Sequence, residues 1–143
     1  MPKESVRSLV DSAKATIVAY NEKDWDAVRE TVVPGFVYEE FATQRRLQGI
    51  EDVLAVWRGW ATAFPDSKAT FHIEYVSGNT VVVELTWRGT HTGPLQTPRG
   101  VIAPTGKTIN VRACQVIELA GDKTKAVRQY FDLGTLLQQL GVS

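Results

Sequence analysis

The spacing of apolar residues divides the chain into a helical first half and a strand-rich second half. Over residues 6–20 apolar side chains recur at the spacing of one helix face, and the same spacing returns over residues 50–64. A shorter helix is predicted from Asp24, a plausible N-cap, to about residue 32, where Pro34-Gly35 ends it. These patterns predict three helices that each present one apolar face to a core.

After Pro65 the apolar spacing changes to two, which is typical of strands with one buried face. The predicted strands cover residues 71–75, 81–91, 107–119 and 125–132, preceded by a short strand at 36–41 and followed by a helix at 133–140. Helices followed by hairpin-linked strands predict an α+β fold with an antiparallel sheet. A strongly curved sheet wrapped around the N-terminal helices would enclose a cone-shaped cavity between the two layers.

One segment, residues 92–106, interrupts this regularity with several prolines and glycines. Long loops inside compact domains are often lids, binding loops or interface arms. The segment is therefore either a functional loop or a long hairpin connection that grips a partner subunit, and its sequence does not choose between them.

Composition narrows the class of protein. A length of 143 residues with 43% apolar content favours a single domain over residues 1–143. Because Lys+Arg and Asp+Glu are equal at 16 each, a nucleic-acid or anionic-membrane partner is not expected. One cysteine, Cys114, excludes an internal disulfide and a multi-thiolate metal site. With no apolar run near the ~20 residues of a membrane span and no signal-peptide pattern, we expect a cytoplasmic domain.

The motifs of common cofactor enzymes are absent from the sequence. There is no Walker loop, dinucleotide fingerprint, GxSxG elbow or HExxH motif. The two histidines, His72 and His91, do not have metal-ligand spacing in the predicted strands. We therefore expect neither a metal nor another cofactor.

Three polar residues are candidates for chemistry. His91 closes a strand beside the 92–106 segment and suits acid–base work, unless it simply bonds a loop carbonyl. Gln115 is an amide on an apolar strand face, where it serves either a structural neighbour or a ligand. Asp132 faces inward if Tyr130 does, whereas an inward Phe131 makes Asp132 the cap of the last helix. The alternation leaves both orientations open.

Aromatic residues and one acid complete the candidate set. Tyr38 and Glu40 share one face of the first strand. Tyr20 and Trp57 lie on the apolar stripes of two helices, and Trp87 lies on the apolar face of a strand. Such aromatics either fill a core or line a pocket for a flat, apolar ligand.

The chain resembles a known group of proteins in the order of its elements and in several segments. The order resembles the cone fold of nuclear transport factor, which ketosteroid isomerase, scytalone dehydratase and SnoaL-type polyketide cyclases share. Segments 38–43 (YEEFAT), 63–66 (AFPD) and 84–93 (ELTWRGTHTG) look closest to the SnoaL-like group often labelled ester cyclases. Segments 104–107 (PTGK), 130–132 (YFD) and 136–141 (LLQQLG) add to the resemblance, which covers nearly the whole chain.

The resemblance implies a cofactor-free enzyme that performs acid–base chemistry, such as aldol-type cyclisation, on a small apolar carbonyl compound. By position, Asp132 inherits the role of general acid/base and His91 lies near the substrate. His91, with Tyr38 or Gln115, would support an enolate oxygen. Trp57 and Trp87 would hold the ring system of the substrate, and Tyr20 and Tyr130 are further substrate-binding candidates.

Two further expectations follow from the resemblance. Glu40, with Tyr20, is only a loose counterpart of the ketosteroid isomerase acid and tyrosine. A homodimer is expected through the outer face of the sheet, which is predicted to expose six residues: Glu74, Glu84, Arg88, Arg112, Val82 and Val116. The alternative is a non-catalytic binding or dimerisation domain on the same fold, because fold alone does not fix function.

Overall fold

The computed structural model describes residues 3–142 of the chain, with side chains from residue 6 onward. Its helices are α1 (Lys3–Asn21), α2 (Trp25–Glu30), α3 (Ile50–Ala63) and α4 (Leu133–Gln139). Its first strands are β1 (Val32–Glu40), β2 (Arg45–Gln48), β3 (Lys68–Ser77) and β4 (Thr80–Thr90). The remaining strands are β5 (Leu95–Thr97), β6 (Gly100–Ile102), β7 (Thr108–Ala120) and β8 (Lys123–Phe131).

The helices form where the sequence supplies an apolar face and a signal for each end. On α1 the residues Ala13, Ile17 and Tyr20 are buried, as the apolar spacing predicts. The side chain of Asp24 accepts a hydrogen bond from the backbone N–H of Ala27 at 3.1 Å and so caps α2. Pro65 follows α3 by two residues. No helix in the described range is long and apolar enough to cross a membrane.

Six strands form one curved, unclosed sheet in the order β2-β1-β8-β7-β4-β3. All neighbours in this sheet pair antiparallel except β1 and β8, which pair parallel. The helices pack on its inner face, where the largest cluster of buried apolar side chains lies. The predicted α+β architecture with a curved, mainly antiparallel sheet around the N-terminal helices is therefore confirmed.

Residues 92–106 contain a hairpin that the sequence did not reveal, formed by β5 and β6. Leu95 of this hairpin is buried together with Ala63 and Phe64 at the end of α3. The chain approaches α3 closely here, since a Cβ atom on Gly93 would lie 2.0 Å from the carbonyl oxygen of Thr62. The hairpin is thus fixed against its own domain at Leu95.

A bulge in β3 changes which residues face outward. The pairing between β3 and β4 shifts register between Phe71 and Ile73, which turns the following side chains to the opposite face. Glu74 therefore points inward and forms an ion pair with Lys14 of α1. The expectation that Glu74 lies on the outer face is wrong for this reason, and Tyr75 is exposed there instead.

Candidate active site

A cavity of about 80 Å³ lies between the inner face of the sheet and three helices, α1, α3 and α4. None of the described residues that line it carries a charge. Its wall is mostly aromatic, with Tyr20, Tyr38, Trp57, Trp60, Phe64, Trp87 and Phe131. Its polar side chains are Thr16, Ser67, Gln115 and Gln129. The space is therefore suited to a small ligand that is apolar over most of its surface.

The alternation of β8 decides which of its residues reach the cavity. Val127, Gln129 and Phe131 line it. Tyr130 points to the other face, where its ring is 42% exposed and stacks on Phe41 with the ring centroids 4.7 Å apart. The predicted contact of Tyr130 with a ligand in the cavity is therefore wrong, because its neighbours take the inward positions.

Asp132 lies outside the cavity and caps α4. Its Oδ1 accepts from the backbone N–H of Gly134 at 3.0 Å, and its Oδ2 accepts from the hydroxyl of Thr135 at 2.7 Å. The bond from the Thr135 hydroxyl and the backbone N–H groups lower the pKa of this exposed carboxyl below its usual value. Of the two orientations the sequence left open, the structure has the one in which Asp132 is a helix cap.

His91 is buried but does not line the cavity. Its Nδ1 accepts from the backbone N–H of Thr105 at 3.2 Å and lies 3.0 Å from the Thr105 hydroxyl. Burial lowers the pKa of the imidazole, which is therefore neutral with its proton on Nε2. Within residues 3–142, no group bonds that Nε2. Its ring packs against Phe64, and His91 and Asp132 do not face one enclosed space.

A chain of hydrogen bonds runs along the inner face of the sheet and ends on Glu40. The indole N–H of Trp87 donates to Oε1 of Gln129 at 2.8 Å, and Nε2 of Gln115 donates to the same oxygen at 2.9 Å. Nε2 of Gln129 donates to the hydroxyl oxygen of Tyr38 at 2.8 Å. That hydroxyl donates to Oε2 of Glu40 at 2.6 Å.

The direction of this chain is fixed by the indole at its start. An indole N–H can only donate, so the atom of Gln129 that faces Trp87 must be the oxygen. The amino group of Gln129 then faces Tyr38, whose hydroxyl accepts this bond and has its own proton free for Glu40. Every donor in the chain therefore points toward the carboxylate.

Glu40 is fully buried directly behind the cavity wall and is held by several donors. Besides Tyr38, Oε2 accepts from the indole N–H of Trp60 at 2.9 Å, and Oε1 accepts from the hydroxyl of Thr43 at 2.5 Å. Nε of Arg45 lies 3.7 Å from Oε1. A buried carboxylate is tolerated where donors and an opposite charge replace the water it has lost.

The two tyrosines of the wall stay protonated. Burial, with the nearby charge of Glu40, raises the pKa of Tyr38 well above its usual value. Burial also raises the pKa of Tyr20 to about 12, although its hydrogen bond with Ser67 at 2.7 Å acts in the opposite direction. Both phenols can therefore donate hydrogen bonds at neutral pH.

The structure brings most of the sequence candidates together. Five of them line the cavity, namely Tyr20, Tyr38, Trp57, Trp87 and Gln115, and Glu40 lies directly behind them. Sequence reasoning missed Gln129, Trp60 and Thr43. Gln129 lies between Val127 and Phe131 on the same face of β8. A prediction that these two apolar residues face inward would therefore have placed Gln129 at the cavity as well. No cluster of three or more possible metal ligands is found in the part of the chain described.

The sequence matches one family of known proteins. A family model described as SnoaL-like polyketide cyclase matches residues 10–140. The chain belongs to this family. A search of curated proteins gives no match. Membership of this family supports an enzyme-like function on small molecules.

Solved structures share this fold over nearly the whole length of the chain. TsrD from Streptomyces laurentii is 24% identical with a TM-score of 0.79, over 100% of this chain and 99% of that chain. IdmH from Streptomyces antibioticus is 24% identical with a TM-score of 0.78, over 94% and 99%. An LEH-like epoxide hydrolase from M. tuberculosis is 19% identical with a TM-score of 0.71, over 94% and 90%. At these identities the likeness shows the fold alone, and the predicted cone fold is confirmed.

Proposed function

We propose that this protein is a cofactor-free enzyme that moves a proton on a small, apolar carbonyl compound bound in the cavity. The observation that carries this proposal is the hydrogen-bond chain from the cavity wall through Tyr38 to the buried carboxylate of Glu40. The catalytic role first expected of Asp132 and His91 passes to Tyr38 and Glu40, since neither of the former lines the cavity.

The proposed step is removal of a proton from a carbon next to a carbonyl group. The oxygen of Tyr38 takes this proton while its own proton moves to Oε2 of Glu40, so the phenol is neutral before and after the transfer. The electron pair of the broken C–H bond moves to the carbonyl oxygen and forms an enolate. An N–H of Gln115 or the hydroxyl of Tyr20 supports that oxygen. Return of the proton to the carbon completes the reaction; alternatively the enolate carbon attacks a second carbonyl, and the resulting alkoxide takes the proton back through Tyr38, which restores the carboxylate of Glu40.

The experiment needs no knowledge of the natural substrate. Apolar ketones and esters that raise the melting temperature are incubated with the protein in D2O, and loss of their carbon-bound protons is followed by NMR. Wild type should accelerate the exchange, and Glu40→Gln and Tyr38→Phe should lower it about 100-fold or more while the ligand still binds.

Two matched controls complete this experiment. Glu39→Gln changes the neighbouring acid on the opposite face of β1, and Asp132→Asn changes the helix cap. Both should keep the wild-type exchange rate. An unchanged rate in Glu40→Gln, or loss of exchange in Asp132→Asn, would refute the assignment.

The second candidate is a non-catalytic binding domain, and one observation favours it. The hydroxyl of Tyr38 already bonds both Glu40 and Gln129, as expected of a polar network that only supports the fold. This candidate predicts that ligands raise the melting temperature and that no carbon-bound proton exchanges faster with wild type than in buffer. The D2O experiment therefore separates the two candidates.

We also propose a homodimer through the outer sheet face, in a cytoplasmic protein. Two large side chains of β3 are exposed there, with Ile73 at 42% and Tyr75 at 53% of their surface. Beside them Arg112 pairs with Glu84 at 3.1 Å, which mixes charge into an apolar patch. Sedimentation at micromolar concentration should give the dimer mass, and Tyr75→Glu should give the monomer. A wild-type monomer contradicts the proposal.

A further inference from the structure

Gln115 has hydrogen-bonding capacity that the protein does not use. Because Oε1 of Gln129 is fixed as an acceptor by Trp87, Gln115 must turn its amino group toward that oxygen. Its own carbonyl oxygen and its second N–H then have no partner among the side chains and backbone groups described. Gln115 lines the cavity from the inner face of β7. One planar amide thus offers a ligand both an acceptor and a donor.

The charge distribution around Gln115 excludes ionic ligands. No described residue that lines the cavity is charged, and the nearby carboxylate of Glu40 is already bonded by Tyr38, Trp60 and Thr43. An anion bound here would lose its hydration without gaining a cationic partner. A cation could not pair with Glu40, because Tyr38, Trp60 and Thr43 already bond its carboxylate oxygens. Transfer of an unpaired ion into such a site costs far more than transfer of a neutral polar group.

We propose that the cavity recognises an uncharged ligand through a carboxamide or lactam group bound to Gln115. The N–H of the ligand donates to Oε1 of Gln115, and its carbonyl accepts from the free N–H. A ketone or ester lacks the donor, and an enolised 1,3-dicarbonyl turns its O–H onto its own carbonyl. Of these groups, only the amide edge matches both free atoms. This inference rests on the proposed function for the identity of the ligand site, and it does not depend on catalysis.

The test uses four probes that share one ring and differ in one group. Benzamide offers donor and acceptor, acetophenone offers an acceptor alone, and benzoate and benzylammonium carry opposite charges. Dissociation constants are measured by NMR titration against the whole chain at pH 7.5. Benzamide should bind about tenfold more tightly than acetophenone, the effect of one added hydrogen bond. Neither ion should bind at the concentrations that saturate benzamide.

Variants locate the preference on the amide. Gln115→Met keeps the side-chain length, and Gln129 still has the bond from Trp87, so the network keeps a donor at that oxygen. In this variant benzamide and acetophenone should bind equally. Gln138→Met, a change at an exposed glutamine of α4, should keep the tenfold preference.

Three results would overturn the inference: tighter binding of either ion, no binding of any probe, or a preference that survives in Gln115→Met. Should Gln115→Met not fold, the ranking of the four probes on wild type still decides. Failure here is distinguishable from failure of the proposed function, because carbon-proton exchange is measured on other compounds and responds to Glu40 instead.

Discussion

Two of the buried ionisable side chains near α3, Glu40 and His91, have opposite kinds of surroundings. Both are fully buried. The carboxylate of Glu40 receives three hydrogen bonds from side chains and has the guanidinium of Arg45 at 3.7 Å. The imidazole of His91 has hydrogen-bond contacts only with Thr105 among the described residues, and its Nε2 has no partner there.

The difference shows which buried side chains can be ionised in an apolar interior. A buried ion persists only where donors replace its hydration, and the environment of Glu40 provides them. For His91, burial outweighs the opposing effect of the Gly93 backbone and lowers the pKa, so the ring is neutral at pH 7. The fold therefore keeps a hydrogen-bonded carboxylate at Glu40, linked to the cavity wall through Tyr38, whereas the ring of His91 contacts the loop that contains Thr105.

The largest expected effect is on stability when Glu40 is removed. Glu40→Ala leaves the hydroxyls of Tyr38 and Thr43 and the indole N–H of Trp60 without their acceptor. We expect the free energy of unfolding to fall by about 3–5 kcal/mol, as for other broken buried charge networks. Urea unfolding measures it. Glu39→Ala, on the opposite face of β1, should change it by less than about 0.5 kcal/mol; equal losses would contradict this account.

A smaller effect is expected from a matched pair that removes one hydroxyl from each site. Thr43→Val deletes a donor to a carboxylate, which should cost about 1.5–3 kcal/mol because bonds to charged groups are the stronger ones. Thr105→Val deletes two neutral contacts of a partly exposed hydroxyl, with His91 and with the backbone N–H of Lys107, and leaves the backbone N–H bond to His91 in place, so about 0.5–1.5 kcal/mol is expected. If Thr105→Val proves the more costly in urea unfolding, the two sites do not differ in the way described.

The sequence predicted the architecture because long elements repeat their pattern many times. The stripe of α1 and the alternation of β7 each extend over several turns or residue pairs, and the order of elements then follows. The strands of β2, β5 and β6, with three or four residues each, are too short to show a period. The bulge between Phe71 and Ile73 cannot be read from the sequence, because the apolar and polar residues keep alternating across it while the side chains change face.

The site was predictable only in part, for a related reason. Tyr20, Trp57 and Trp87 lie on apolar faces and so were found, but the role of each depended on neighbours far away in the chain. The end of β8 has apolar residues on both faces, so its sequence could not say whether Tyr130 or Phe131 points inward. Which of these two residues points inward also decides whether Asp132 faces the cavity or the surface. The pairing of β8 with β1 and β7 settles this choice.

The smallest expected effect is the pH dependence that His91 gives to folding. Burial lowers the pKa of His91 in the folded state below its usual 6.5. As the pH falls below about 6.5, the unfolded chain takes up a proton at this position before the folded chain does. The stabilisation present above the unfolded-state pKa is therefore lost as the pH falls toward the folded-state pKa. His91→Asn keeps an acceptor near Thr105 and removes the titration, so the acid-induced loss of unfolding free energy should shrink in this variant.

Urea unfolding at pH 8, 7, 6 and 5 measures the difference between variant and wild type. His72→Asn, at the exposed histidine of β3, is the matched control and should keep the contribution of His91. Parallel pH curves for wild type and His91→Asn would show that the ring carries its second proton in the folded state, and the contrast between Glu40 and His91 would then fail.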